Sequence, residues 1–309
     1  MWYDKGQDIY EKGTAYMSGF ENIAPNVYYL APPVPEFGGG VTLITGTTVI
    51  LIDCGAFDYS VSKFIVPALK AIKLDIKDID YLLFTHCHPE NMGGVHKLKQ
   101  LSPDTKILSY GYQTDKLKNP SFYFMKNWSN FLDFSPPFRE LKGVLPDGTV
   151  DPESLFFQDQ LRPIFAQGHD SDCVCWYHTK SETLICGDAI QGGGTDDTGI
   201  AYITTLQYYK NTVSDIIELA PQNLICSKKF KGLEAVTKGK DACQKALDGC
   251  FSALDEYLVF VDRYSRLTRK KKENLDPQEL ATAYFEGKAA PSCLGYAMHT
   301  FSEFIKNKR

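Results

Sequence analysis

The sequence predicts an α/β chain, and three observations carry that expectation. Short apolar runs rich in β-branched residues, such as VTLIT and TVILID, are bounded by turn residues in the manner of strands. Between such runs lie segments with apolar residues at helical spacing, as in 60–73. From about residue 236 the strand-like runs stop and only helical patterns follow.

Taken in order, residues 26–53 read as strands of a hairpin or meander. NVYYLAPP leads through the Gly-rich FGGG to VTLIT, and a Gly46-Thr47 turn leads on to TVILID, closed by Asp53-Cys54-Gly55. SVSKFIVPALKAIK places Val61, Phe64, Ile65, Leu69 and Ile72 near helical spacing, with Pro67 opening or kinking the helix. DIDYLLFTH is the next strand and delivers His86 at its C-terminal end. A helix is expected over 93–101 and a strand at TKILSY. Residues 115–150 have no clean period and hold the aromatic cluster SFYFMKNWSNFLDFSPPF. That cluster reads either as a lid packed on the core or as the wall of an apolar pocket, with Phe122, Tyr123 and Trp128 binding substrate.

LRPIFAQGHD, CVCWYHT and ETLICGD are three further strands, VSDIIELA a helix and NLICS a strand. DACQKALDGCFSALDEYLVFVDRY, PQELATAYFEG and SCLGYAMHTFSEFI are helical. The expected division is therefore an α/β domain over 1–235 and a helical C-terminal extension over 236–309, covering a site or mediating dimerisation.

The 309 residues, 43% hydrophobic, suffice for one large domain with an appendage, or two domains. A net charge of −5 gives no electrostatic reason to expect nucleic acid. The basic run Arg269-Lys270-Lys271-Lys272 is flanked by Glu273 and Asp276 and reads as a solvated helix end. Nine cysteines are an odd number in a chain too long for a stapled miniprotein, and Cys175 and Cys186 sit in apolar runs as small buried hydrophobes. Cys173 and Cys175 alternate onto one face, and Cys87 points away from its histidine neighbours. MWYDKGQDIYEK has no continuous apolar core, and VTLITGTTVILID is broken and too short for a bilayer. No membrane association and a cytoplasmic setting are expected.

Candidate ligands stand at three strand ends: His86 with His88, then His169, then Asp188. Imidazole nitrogen and carboxylate oxygen together suit zinc, iron or manganese, and a catalytic site needs about three protein ligands with one position open. Only six histidines are present, and three of them occupy these places. Loops at strand ends are also where chemistry is usually mounted.

THCHPENMGG resembles the T-H-x-H-x-D-H-x-G-G segment of the metallo-β-lactamase fold superfamily. VILIDCG resembles that family's early Asp-x-Gly strand, AQGHDSD its Gly-His turn and LICGDAI its Gly-Asp strand end, while NLICSKK stands in place of its last strand. The likeness covers roughly residues 20–235. The GHDSD and CGD segments look closest to the glyoxalase II-like and acyl-CoA thioesterase branch, which includes a thioesterase of bacterial alkylquinolone biosynthesis. The resemblance implies a four-layer αβ/βα sandwich with metals at one edge, between the two sheets.

In that family one metal takes the positions that here are His86, His88 and His169, all intact. The second metal's positions read Glu90, Asn91, the bridging Asp188 and Lys228 (or Lys229). An amide oxygen is a weak ligand and an ammonium none at all. The resemblance thus implies one divalent ion, zinc or iron, with the second site lost or weak. Lys228 would replace part of the missing charge, though KKFK also reads as a plain solvent-facing basic cluster. Glu90 would act as general base on a metal-activated water, and Asn91 would contact substrate, although Pro-Glu-Asn is equally an ordinary helix start. Asp53 is structural by the same comparison.

The function implied is a metal-dependent hydrolase that turns metal-bound hydroxide on an ester, thioester or lactone carbonyl, with catalytic Glu90, Asp188 and Lys228. Its partner would be a small molecule, an acyl thioester or aromatic ester. Two other classes compete. One is a non-catalytic metabolite- or partner-binding protein, docking or dimerising through Leu254, Tyr257, Leu258, Phe260 and Val261. The other is an iron-dependent oxidative enzyme.

Overall fold

The computed structural model describes residues 19–32, 38–128, 141–150, 160–286 and 291–306. The N-terminal stretch read for a signal peptide, Phe37 of the FGGG turn, residues 129–138 of the aromatic cluster and the side chain of Trp128 lie outside the described residues.

Seven strands form the first sheet in chain order: β1 (Glu21–Ala24), β2 (Val27–Leu30), β3 (Val41–Ile44), β4 (Ile50–Ile52), β5 (Tyr81–Leu83), β6 (Lys106–Ser109) and β7 (Gly148–Thr149). β1 to β4 pair antiparallel in succession. β4 to β7 pair parallel, which requires crossovers. These are α1 (58–71), then α2 (Pro89–Met92) with α3 (Val95–Leu101), then α4 (Gln113–Lys118) with α5 (Pro120–Trp128). The π-helical turn Val61–Ile65 lets α1 run on into Pro67.

The second sheet runs β12-β11-β10-β9-β8, from β8 (Leu161–Phe165), β9 (Val174–His178), β10 (Thr183–Gly187), β11 (Asn223–Cys226) and β12 (Val236–Lys238). Only β10 and β11 are parallel within it, joined by α6 (Leu206–Leu219). The short edge strands β1 and β12 are additions to the elements legible in the sequence.

Strand alternation sorts the apolar side chains into three cores. Ile44, Ile50, Ile52 and Leu83 of the first sheet meet Val174, Trp176, Ile185 and Ile225 of the second. Their strand neighbours Leu43, Leu51 and Leu82 turn outward onto Val61, Ile65 and Leu69 of α1 and Val95 and Leu98 of α3. Cys175, Leu184, Cys186, Leu224 and Cys226 turn the other way, onto α6 and the C-terminal helices α7 (Lys240–Thr268), α8 (Pro277–Tyr284) and α9 (Pro291–Lys306). Helices, sheet, sheet and helices make the four layers of an αβ/βα sandwich.

Cys173 joins Cys175 in the outer core, and Cys87 joins the first-sheet core, so cysteine serves here as a small apolar side chain. All eight described cysteines are free and buried. The apolar face of α7 offered above for docking is corrected by the same packing. Leu254, Tyr257 and Val261 are at most 3% exposed, and Leu258 and Phe260 pack partly buried on the same cluster. That face is filled by the chain itself, because the second sheet needs a helical cover. Among the described residues no helix is long and apolar enough to cross a membrane.

Candidate metal centre

One strand of the first sheet and three of the second end at a common edge. His86 and His88 follow β5, His169 follows β8, Asp188 follows β10 and Lys228 follows β11. The two sheets are tied together beside this edge. Trp176 Nε1 donates to the Phe84 carbonyl at 2.9 Å, and Val174 N donates to the Thr85 carbonyl at 2.8 Å.

The glycines before His169 and Asp188 have a steric reason. Gly168 has φ +132° and Gly187 φ +57°, both left-handed values that an L side chain resists. A Cβ on Gly168 would also strike the Tyr209 backbone, and one on Gly187 would strike Thr85. Only Gly lets these strand ends turn so sharply and so close to their neighbours.

The three histidines converge. Their ring centroids lie 4.6 Å (His86 to His88), 4.7 Å (His88 to His169) and 5.0 Å (His86 to His169) apart, each pair edge-on. One nitrogen from each lies within 4.8 Å of the others, all three residues being buried or nearly so. Hydrogen bonds on the far sides of the rings set which nitrogens face inward. His88 Nε2 lies 2.9 Å from Asp170 Oδ2, and His169 Nδ1 lies 2.9 Å from the Tyr202 carbonyl. With a proton on each of these outer nitrogens, His88 Nδ1 and His169 Nε2, 3.1 Å apart, would be the lone-pair positions. His86 Nε2 is fully buried and has no hydrogen-bond partner. Three ring nitrogens converging in this way fit a divalent cation, which would take one lone pair from each.

Supporting groups reach well behind the histidines. Lys116 of α4 ion-pairs with Asp170 at 2.5 Å and Asp172 at 2.8 Å, and the Asp172 carboxylate accepts from Cys87 N at 2.8 Å. Burial alone would raise the Asp170 carboxyl, but the His88 hydrogen bond and the Lys116 charge hold it well below the usual carboxylate range. Burial lowers His86 and His169 below an ordinary imidazole, so both stay neutral lone-pair donors. Burial works against His88 as well, yet Asp170 raises it. Gln191 Nε2 sits 2.8 Å from His169 Nδ1, while its Oε1 accepts from Tyr202 N at 2.7 Å.

Beside the histidines lies an acidic pair with one cation. His86, Glu90 and Asp188 also bring ligand atoms within 4.8 Å of one another. Lys228 Nζ stands 3.7 Å from Glu90 Oε1 and 3.8 Å from Asp188 Oδ2, with the residue 9% exposed. Burial disfavours the ammonium, but Asp188 and Glu90 raise it above an ordinary lysine. Glu90 is pushed up by burial and pulled further down by Lys228 and His88. Ser227 Oγ donates to Asp188 Oδ1. The choice between Lys228 and Lys229 is settled by position: Lys229 is an exposed partner of Glu234 at 2.7 Å. Lys228 is thus a buried lysine, and the solvent-facing reading of KKFK holds for Lys229 and Lys231.

Asn91 is wholly buried, and its Nδ2 donates to Asp53 Oδ2 at 2.9 Å. Asp53 also accepts from Thr85 N at 2.8 Å and Thr85 Oγ1 at 2.7 Å, bracing the His86 loop. Burial pushes the Asp53 carboxyl up to about 7 in spite of those bonds. The helix-start reading of Pro-Glu-Asn holds, since Glu90 and Asn91 open α2 beside the cluster, whereas the expected contact of Asn91 with substrate is corrected: its side chain is wholly buried against Asp53. Phe122 and Tyr123 lie on α5 with rings 5.3 Å apart and Phe122 63% exposed. No contact among the described residues joins these two to the histidines. Among the described residues, the ring beside His169 other than the two imidazoles is Tyr202, at 5.4 Å, which packs on Tyr296 and His299 of α9.

Asp170, Asp172, Lys116, Gln191 and Tyr202 were beyond sequence reasoning. Asp170 adjoins a predicted ligand, and that proximity was the one available signal. Lys116 lies 54 positions from Asp170 in a stretch without period, so no local pattern marks it.

The architecture has counterparts among solved structures. A structure of a metallo-beta-lactamase family protein from Thermus thermophilus superposes with a TM-score of 0.65 at 17% identity, covering 91% of this chain and 92% of that one. A Cronobacter sakazakii metallo-beta-lactamase with a HARLDQ motif gives 0.59 at 15% identity, over 81% and 98%. At such identities these establish the fold. Hydroxyacylglutathione hydrolase from Francisella philomiragia subsp. philomiragia is 27% identical over 142 residues, 46% of each chain, so the match spans less than half of that relative. Residues 34–257, which include the site-bearing strand ends of both sheets, match the metallo-beta-lactamase superfamily as a whole. With sandwich, ordered strand-end motifs and histidine cluster in agreement, the chain belongs to the metallo-beta-lactamase superfamily.

Proposed function

We propose that this protein is a metal-dependent hydrolase of an ester, thioester or lactone, holding one zinc or iron ion on His86, His88 and His169. The observation that carries this reading is the set of three inward imidazole lone pairs, with His86 Nε2 buried and unpartnered. A divalent ion bound there supplies Lewis acidity, which brings the pKa of a coordinated water from about 16 towards 7. Similarity to a hydroxyacylglutathione hydrolase favours an acyl group carried on sulfur among the possible substrates.

The chain's own residues divide the remaining work. Asp170, clamped by Lys116, orients His88, and the Tyr202 carbonyl orients His169. Asp188 lies beside the cluster, where its free oxygen completes the ligand set or holds the attacking water. Glu90, which Lys228 keeps ionised, accepts a hydrogen bond from that water at its carboxylate. The same pairing lowers its basicity, so Glu90 orients the water more than it strips its proton. Tyr202, 4% exposed, walls off the side of the site that α9 covers.

Metal analysis of purified protein, with thioester and ester hydrolysis measured with and without chelator, tests the reading. One equivalent of metal and chelator-sensitive, metal-restored hydrolysis are expected. Bound metal without turnover of any acyl substrate, or hydrolysis indifferent to chelator, would overturn it.

A further inference from the structure

The second acidic cluster has the makings of a cation site and holds an ammonium instead. We propose that Lys228 occupies a latent second divalent-cation position between Glu90 and Asp188, beside the three-histidine cluster, supplying its positive charge and excluding a metal from it. The inference rests on the proposed three-histidine site only as its neighbour, since the His86 nitrogen belongs to that site and the second position draws on the carboxylates, and it makes a separate prediction.

Three observations carry it. The ligand oxygens of Glu90 and Asp188 lie within 4.8 Å of each other and of a His86 ring nitrogen, so an ion between the two carboxylates would stand next to one on the histidines. Lys228 Nζ stands 3.7 and 3.8 Å from the two carboxylates of that set, so a cation bound among them would meet a like charge at close range. The ammonium has no lone pair and cannot join as a ligand.

The backbone under Lys228 is also pinned. Ser227 N donates to the Gly187 carbonyl at 3.0 Å, and the Ser227 carbonyl accepts from Tyr29 Oη at 3.1 Å and from Gly40 N. Parallel pairing of β10 with β11 sets Gly187 opposite Cys226, so Asp188 and Ser227 leave the sheet side by side. A lysine one residue further on is therefore delivered beside Asp188 by the sheet register.

The test counts metal. Chelator-stripped wild type, Lys228→Met and Lys228→Arg are dialysed against zinc chloride, and bound zinc is measured by elemental analysis. The readout is the increment over wild type. Lys228→Met is expected to gain one equivalent of lower affinity, and Lys228→Arg, which keeps the charge, to gain none. Lys228→Gln, neutral but polar, serves if the methionine variant fails to fold, with the same gain expected. Two equivalents in the wild type, no gain in the neutral variants, or an equal gain in Lys228→Arg would overturn the proposal. A wild type that binds no zinc beside a neutral variant that binds one would sink the three-histidine reading and leave this one standing.

Discussion

Removing the Lys116 ammonium is the sharpest test of how the histidine cluster is held. Lys116 contacts Asp170 at 2.5 Å and Asp172 at 2.8 Å, with side-chain exposures of 8%, 5% and 0%. At an effective dielectric near 20, each contact is worth on the order of 6 kcal/mol before desolvation. Burying the ammonium offsets several kcal/mol of that gain, but Lys116→Met saves only the lysine's share and strands two buried carboxylates. Breaking a buried pair in this way costs about 3–5 kcal/mol. With an unfolding entropy of about 2.1 cal/mol/K per residue, a chain of this size should melt roughly 5–8 °C lower.

The loss should depend on pH, with a definite sign. The Asp170 carboxyl is depressed in the folded wild type, so its contribution is present above the unfolded carboxylate value. It disappears only as pH falls through the depressed folded value. In Lys116→Met the Asp170 carboxyl rises, so protonation relieves the stranded charge. The gap between variant and wild type should therefore be widest near pH 7 and narrow below about pH 5. Urea unfolding of chelator-stripped protein, followed by tryptophan fluorescence at several pH values, measures it. A loss under about 1 kcal/mol at pH 7, or a gap that does not change with pH, would refute the reasoning.

Other expectations follow from the same geometry. Zinc added to stripped protein should stabilise it by about 4 kcal/mol at free metal 1,000-fold above Kd, and His86→Ala should abolish the effect in a thermal melt. Asp170→Asn should weaken zinc binding roughly 10–100-fold by competition dialysis, by releasing the His88 ring. Asp53, raised from 3.8 to about 7 by burial, favours folding fully below its unfolded value and loses that contribution as pH rises through about 7. Metal-free wild type should thus lose up to about 4 kcal/mol between pH 4 and pH 8, a dependence absent from Asp53→Asn in chemical denaturation. Trp176→Ala should cost about 3–5 kcal/mol at equilibrium, since the ring is wholly buried between the sheets and its N–H serves the Phe84 carbonyl.

What was legible in the sequence was whatever is encoded locally. Strands such as Ile50–Ile52 and Thr183–Gly187 declare themselves by β-branched or apolar runs closed by turn chemistry. The histidines declare themselves because each follows such a strand. β1 and β12 carry too few apolar residues to stand out, and they form because a neighbouring edge offers unpaired backbone groups. The helical extension was visible as helices, but not as the cover of the second sheet, because the matching apolar face lies on cysteines and leucines far away in the chain. Lys116 and Lys228 show the same limit. A buried lysine and a solvent-facing one read alike until the carboxylates around them are placed.

The substitutions that distinguish this site from the two-metal pattern are physically matched, which argues for a rebuilt site over a decayed one. Where the pattern has a histidine, Asn91 keeps a donor on Asp53, the buried carboxylate bracing the His86 loop. Where it has a final histidine, Lys228 places a single positive charge between Glu90 and Asp188. Without a second metal, those carboxylates would otherwise sit close together with no counter-charge of their own, at a cost of several kcal/mol. Loss of ligands one at a time would be expected to leave such charges stranded, and here both are answered. Meanwhile the three-histidine half keeps its ligands and the groups that orient them. Under the proposed function, such a site would hold one ion on the histidines and carry a lysine's charge where a second would stand.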